Sequence, residues 1–192
     1  MNAEQRAASV RLLVLDVDGV LTDGRLYFGA DGEAMKVFDV RDGHGVRLLR
    51  EAGIEVAILS ARRSPIVERR ARELGIGPVI QGAADKGVAL AELMRALQVN
   101  PRQCAYVGDD WPDLPALAQA GFAATVADAA PEALYIGSEI EDLILILPQL
   151  SFHEFGVQLL GTKHMVRERL HERIEQPRRR AHPVGQRRAI GP

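Results

Sequence analysis

The sequence predicts an α/β fold in three layers, with a central parallel sheet, helices on both faces and one projecting β-hairpin. Three observations predict it. Short apolar runs alternate with stretches of helical periodicity as far as Val126, the pattern of a parallel sheet crossed by helices. Aspartates, a serine and a lysine follow the ends of these runs, at the edge where such sheets bind ligands. One segment, residues 25–39, breaks the alternation with two strand-like pieces around Gly29-Ala30-Asp31-Gly32, and is expected to form the hairpin.

Taken in order, residues 10–17 (VRLLVLDV) form a buried strand that ends in acids and Gly19. Val46, Leu48 and Leu49 mark a helix over residues 43–52, stopped by Gly53. Residues 54–59 are a second buried strand. Ser64 followed by Pro65 opens a helix that closes at Gly75. Val79 and Ile80 form a third strand, and Val88, Leu90, Leu93, Met94 and Leu97 place a helix over residues 85–97. A fourth strand over residues 104–107 ends in Gly108-Asp109-Asp110, a helix covers residues 114–120, and residues 122–126 are a fifth strand.

The chain has 192 residues, 47% hydrophobic and 26% charged, with net charge −2. That suits one globular core and excludes bulk disorder or a generally basic nucleic-acid binder. One cysteine, Cys104, leaves no internal disulfide and no four-thiolate zinc site. No apolar run is long enough to span a bilayer and the start lacks a signal core. A soluble cytoplasmic protein is expected, with neither nucleic acid nor membrane as partner. Residues 1–137, the expected domain, carry net charge −4, and residues 138–192 carry +2. Residues 138–175 read as a C-terminal extension in which 139–147 suit either helix or strand and 166–175 a charged helix. Residues 176–192, with five arginines and no acid, read as a disordered basic tail. His153, His164 and His171 are assigned to the surface.

The first strand ends in Asp16-Val17-Asp18-Gly19, the second in Ser60, Lys86 starts the helix after the third, and Asp109, Asp110 and Asp113 follow the fourth. Converging carboxylates repel one another unless a cation is shared. Oxygen-only ligands suit Mg²⁺, and Mg²⁺ with a lysine and a hydroxyl binds phosphoryl oxygens. One carboxylate can then attack phosphorus, and a second, two residues on, can serve as acid and base. Isolated aspartates after strands are ordinarily turn or cap residues, and Asp23, Asp31 and Asp128 are assigned so. A calcium loop opening at Asp16 is excluded because no Glu stands at its twelfth position.

Asp16-Val17-Asp18-Gly19-Val20-Leu21-Thr22-Asp23-Gly24, Ser60, Lys86 and Gly108-Asp109-Asp110-Trp111-Pro112-Asp113 resemble the four motifs of the haloacid dehalogenase-like (HAD) phosphatases. Gly29–Glu33, Phe38-Asp39-Val40-Arg41-Asp42-Gly43-His44-Gly45, Ile58–Arg62 and Ala105–Asp110 are similar to the 3-deoxy-D-manno-octulosonate 8-phosphate (KDO 8-phosphate) phosphatase family. The resemblance implies a HAD-like Rossmannoid three-layer sandwich without a cap domain, and a Mg²⁺-dependent phosphatase of lipopolysaccharide synthesis. It implies Asp16 as nucleophile, Asp18 as general acid and base, and Asp16, Asp109 and the main-chain carbonyl of Asp18 as metal ligands. Ser60 and Lys86 would hold the phosphoryl group, with Asp110 and Asp113 in support. Substrate would meet Asp18, Asp39, Val40, Arg41, Asp42, Gly43, Arg47, Arg62, Arg70 and Lys86. A sugar acid carries a carboxylate as well as a phosphate, which suits arginines.

Only 43 residues separate Asp16 from Ser60, too few for an ordinary cap domain beside the hairpin and helix. Capless relatives assemble as homotetramers through their hairpins, so Tyr27, Phe28, Val37 and Phe38 are expected at an interface. The family's glycine-rich stretch followed by Arg-Glu is not found after Leu134. The C-terminal third is expected to be diverged or the product of a shifted reading frame. Three other readings stay open. They are a phosphatase acting on N-acylneuraminate 9-phosphate or another small ester, a response-regulator receiver, and a catalytically silent oligomerisation module.

Overall fold

The computed structural model describes residues 3–133 and 144–146. The expected helix at 166–175, the basic tail at 176–192 and His153, His164 and His171 lie outside these residues. Six parallel strands form one sheet. They are β1 (Leu12–Leu15), β4 (Glu55–Ser60), β5 (Val79–Gln81), β6 (Cys104–Val107), β7 (Phe122–Val126) and β8 (Ile144–Ile146). A separate antiparallel pair, β2 (Tyr27–Gly29) and β3 (Gly32–Met35), is the expected hairpin. The helices are α1 (Ala3–Ser9), α2 (Val40–Glu51), α3 (Pro65–Leu74), α4 (Lys86–Ala96) and α5 (Leu114–Leu117).

The strand order β5-β4-β1-β6-β7-β8 places β1 at the centre. From β1 the chain builds outward through β4 and β5, then crosses to β6 on the opposite side. Strand order therefore reverses between β1 and β6, and a crevice opens at their carboxyl ends. Leu12 lies level with Glu55 on one side and Cys104 on the other.

Side chains alternate across each buried strand, and this divides the core into two layers. Leu13, Leu15, Val56, Ile58, Ala105 and Val107 face one layer, with Val46 and Leu49 of α2 and Val67 and Ala71 of α3. Leu12, Val14, Ala57, Leu59 and Tyr106 face the other, with Leu90, Leu93 and Met94 of α4 and Ala116 and Leu117 of α5. The near-continuous hydrophobicity of β1, β4 and β6 follows from this burial on both faces.

Local chemistry sets the helix ends. Asp39 caps α2 by accepting from the Arg41 amide at 2.7 Å. Ser64 caps α3 and Pro65 occupies its first turn, while Gly75, at φ 64°, closes it in the left-handed conformation. Asp85 caps α4, so Lys86 begins the helix at the sheet's carboxyl edge.

Several elements differ from expectation. Helix α2 starts at Val40 rather than at residue 43, because Asp39 caps it, and β1 is confined to Leu12–Leu15. Helix α1 follows from no strong periodicity; it is held by Ala7 in the core and by the Ser9 hydroxyl donating to the Arg102 carbonyl at 2.7 Å. Helix α5 ends at Leu117, and a looser turn carries the chain to Ala120 through amide bonds to Leu114 and Ala116. The ambiguous run before Leu147 contributes strand β8 at Ile144–Ile146, paired with β7. Only the edge of a sheet could distinguish helix from strand there.

Leu13 is fully buried on the central strand. Leu13→Ala should lower the unfolding free energy by about 2–5 kcal/mol, read from urea denaturation.

Candidate active site

The loop after β1 turns around one carbonyl. The amides of Val20 and Leu21 both donate to the Val17 oxygen, at 3.3 and 2.9 Å. The Thr22 hydroxyl donates to the same oxygen at 3.3 Å and accepts from the Gly19 and Gly24 amides. The turn keeps Asp16 and Asp18 at the crevice while the chain departs toward the hairpin. Gly19 is required here. Its φ is +94°, and a β-carbon would stand 1.9 Å from Oδ2 of Asp109.

Asp16, Asp109 and Asp113 each bring one carboxylate oxygen within 4.8 Å of the others. Lys86 Nζ lies 2.9 Å from Asp16 and 2.7 Å from Asp113. Asp113 is fully buried, and both its oxygens are engaged. Oδ1 accepts from Lys86 and from the Tyr106 hydroxyl, and Oδ2 accepts from the amides of Asp109 and Asp110 at 3.1 Å. Four donors use the lone pairs of a carboxylate, so Asp113 organises the site, and Asp16 and Asp109 are the carboxylates that could hold a cation. Asp109 fits that role, because its Oδ1 is buried with no hydrogen-bond partner among the described residues.

Burial and the charge of Asp113 push the Asp16 carboxyl up to about 6, although Lys86 opposes them. Burial, Asp16, Asp113 and Asp110 push Asp109 up to about 7. Burial disfavours the Lys86 ammonium, but Asp16 and Asp113 outweigh it and hold the group above its usual value. Two raised carboxylates with one unsatisfied oxygen form a site whose charge is relieved by a divalent cation.

Asp18 takes a different environment from Asp16. Its Oδ1 meets the ammonium of Lys36, and its Oδ2 lies 3.5 Å from Nε of Arg62. Ser60 is buried at the end of β4, and its Oγ accepts from the Arg62 amide at 3.3 Å.

The expected substrate residues divide. Asp39, Asp42, Gly43 and Arg70 line a small cleft of about 10 Å³, open to solvent, whose floor is Leu21, Phe38 and core residues; Asp16, Lys86 and Asp109 do not line it. Arg70 stacks over Phe38 at 5.8 Å and lies across α2 because Gly43 is there; a β-carbon would sit 2.7 Å from its Nη2. Val40 is 81% exposed, Arg41 pairs with Asp39 at 2.9 Å, and Arg47 is exposed on α2. Sequence reasoning missed Lys36, Glu33 and Tyr106. The signal for Lys36 was a lone cation between Met35 and Val37, directly after β3; both neighbours are exposed while Lys36 is buried.

The family description haloacid dehalogenase-like hydrolase matches residues 38–121. The 3-deoxy-D-manno-octulosonate 8-phosphate phosphatase KdsC of Yersinia pestis is 52% identical over 127 residues, 66% of this chain and 68% of the relative. This chain belongs to the KDO 8-phosphate phosphatase family of HAD hydrolases. Among solved structures, the cobalt-bound family phosphatase from Haemophilus influenzae is 40% identical with a TM-score of 0.75, covering 83% of this chain and 92% of its own. The Moraxella catarrhalis phosphatase, solved with a magnesium ion, a phosphate ion and a KDO molecule, is 33% identical with a TM-score of 0.80, covering 88% and 97%. Family membership supports the HAD-like sandwich and a divalent metal at the acidic cluster.

Protons compete with a cation for Asp16 and Asp109. Magnesium affinity should therefore fall as pH drops from 8 through 7 to 6, by up to about tenfold per unit for each displaced proton; isothermal titration at the three pH values measures it. Gly19→Ala drives a β-carbon into Asp109, and should weaken magnesium binding by about 10–100-fold in the same titration.

Proposed function

We propose that this protein hydrolyses KDO 8-phosphate to KDO and inorganic phosphate in the cytoplasm, as a Mg²⁺-dependent step of lipopolysaccharide synthesis. The observation that carries this reading is Lys86 held between Asp16 and Asp113 beside the unsatisfied oxygen of Asp109. Asp16 and Asp109 would hold the cation together with the Asp18 carbonyl. Bound there, Mg²⁺ offsets the negative charge shared by the acids and the ester.

Lys86 donates to the phosphoryl oxygens, and the Ser60 hydroxyl adds a second donor from β4. The Asp16 carboxylate attacks phosphorus, forming an aspartyl phosphate as the bond to the sugar oxygen breaks. Asp18 gives its proton to that oxygen, then takes one from the water that attacks the aspartyl phosphate. The hydrolysis returns Asp16 and releases phosphate.

Substrate selection is assigned to arginines. Arg62 faces Asp18, and Arg70 with Asp39, Asp42 and Gly43 lines the small cleft. Val40, Arg41 and Arg47 complete the proposed set from the exposed surface of α2. The separation of these groups suits a substrate with charges at two ends.

We also propose a homotetramer built on the hairpin. Phe28, Met35 and Val37 are 63, 48 and 51% exposed, an apolar surface that a monomer would leave in water. Among the described residues, no helix is long and apolar enough to cross a membrane.

Asp16→Asn should lower kcat on KDO 8-phosphate by about 10³-fold or more while the circular-dichroism spectrum is kept. Undiminished phosphate release would remove the nucleophile assignment. N-Acylneuraminate 9-phosphate serves as the competing substrate; a higher kcat/KM on it would replace KDO 8-phosphate in this reading.

A further inference from the structure

Among the described residues, Lys36 is the most deeply buried cation that the reaction above leaves without a task. Its side chain is 2% exposed, whereas its neighbours Met35 and Val37 are 48 and 51% exposed. Lysines are rarely buried unless paired, and this one has two partners. Its ammonium contacts Oδ1 of Asp18 and lies 3.1 Å from Oε1 of Glu33. The other oxygen of Glu33 accepts from the Ser64 hydroxyl, and Ser64 is the residue that caps α3.

These contacts form a continuous brace. It runs from the start of α3 through Ser64 and Glu33 to Lys36, and ends on Asp18. Among the described residues, the remaining oxygen of Asp18 has only the longer approach of Arg62 Nε at 3.5 Å. Asp18 follows Asp16 by two residues but its carboxylate is not part of the acidic cluster of Asp16, Asp109 and Asp113. The brace accounts for the difference, because it draws the side chain toward the hairpin.

We propose that Lys36 is a positioning residue for Asp18, holding its carboxyl group away from the cation site and toward the oxygen of the leaving group. The proposal rests on the general-acid reading of Asp18 given above. Lys36 and Glu33 carry opposite charges, so the pair acts on Asp18 chiefly through orientation. A lysine suits the place, since its rotatable point charge can bridge two separate carboxylates, which the planar fork of arginine does less readily. Proton transfer requires hydrogen-bond reach, and a misplacement of about 1 Å can cost about 100-fold.

The step concerned is the cleavage of the ester. The bond from Asp16 to phosphorus forms, the bond from phosphorus to the sugar oxygen breaks, and the proton of Asp18 moves to that oxygen. An alkyl oxygen needs the proton; p-nitrophenolate leaves without it. The full-length K36M variant with Mg²⁺ should lose about 10–100-fold in kcat/KM on KDO 8-phosphate, and less than about threefold on p-nitrophenyl phosphate. K36R should recover part of the loss. An equal loss on both substrates, or none on either, would overturn the proposal.

D18N separates this test from the reading beneath it. If D18N shows no contrast between the substrates, the general-acid assignment fails. If D18N shows the contrast and K36M does not, Lys36 alone is rejected. Should K36M not fold, E33Q carries the same comparison, with the alkyl-selective loss expected and an equal or absent loss overturning the proposal.

Discussion

The ammonium of Lys86, placed between Asp16 and Asp113, is the interaction on which the site depends. Three carboxylates meet within 4.8 Å, an arrangement that self-repulsion opposes. One lysine cancels one of the three charges and leaves two negative charges, which a divalent cation would balance. The same lysine begins α4, whose cap is Asp85, so the charge balance of the site is tied to a helix end. Asp113 extends the connection, because its second oxygen fastens the Asp109 and Asp110 amides. Lys86, Asp109 and its loop are thereby set by one buried carboxylate.

Environment separates two aspartates that the chain places two residues apart. Asp16 turns toward the buried cluster, where burial and neighbouring charge raise its affinity for protons. Asp18 turns toward the cations of the hairpin and of the segment after β4. Groups of the same chemistry acquire different tasks when their surroundings differ in charge and burial. Gly19 makes the division feasible by admitting Asp109 to a space that any β-carbon would fill.

The alternation of apolar runs and helical periods was enough to locate β1, β4, β6 and β7, since strands buried on both faces are largely apolar, and half-buried β5 was marked by Val79 and Ile80. Ser64-Pro65 and Gly75 marked both ends of α3 because caps are local chemistry. Less was legible where stability comes from distant contacts. Helix α1 leans on Arg102 and the sheet, and β8 exists as a strand because β7 offers it an edge. Lys36 was passed over for a similar reason: its partners, Asp18 and Glu33, become meaningful only after the hairpin folds back over the loop.

The sequence by itself determined the succession of strands and helices from β1 to β7 and the identity of the acids, hydroxyl and lysine at the strand ends. Those follow from periodicity, capping and the motifs, all of which act over a few residues. Tertiary structure alone decided that Asp113 is saturated by four donors, that Asp109 keeps an oxygen unpaired, and that Arg70 lines a cleft apart from the acidic cluster. Hydrogen-bond saturation and burial depend on groups far apart in the chain, so no local pattern encodes them.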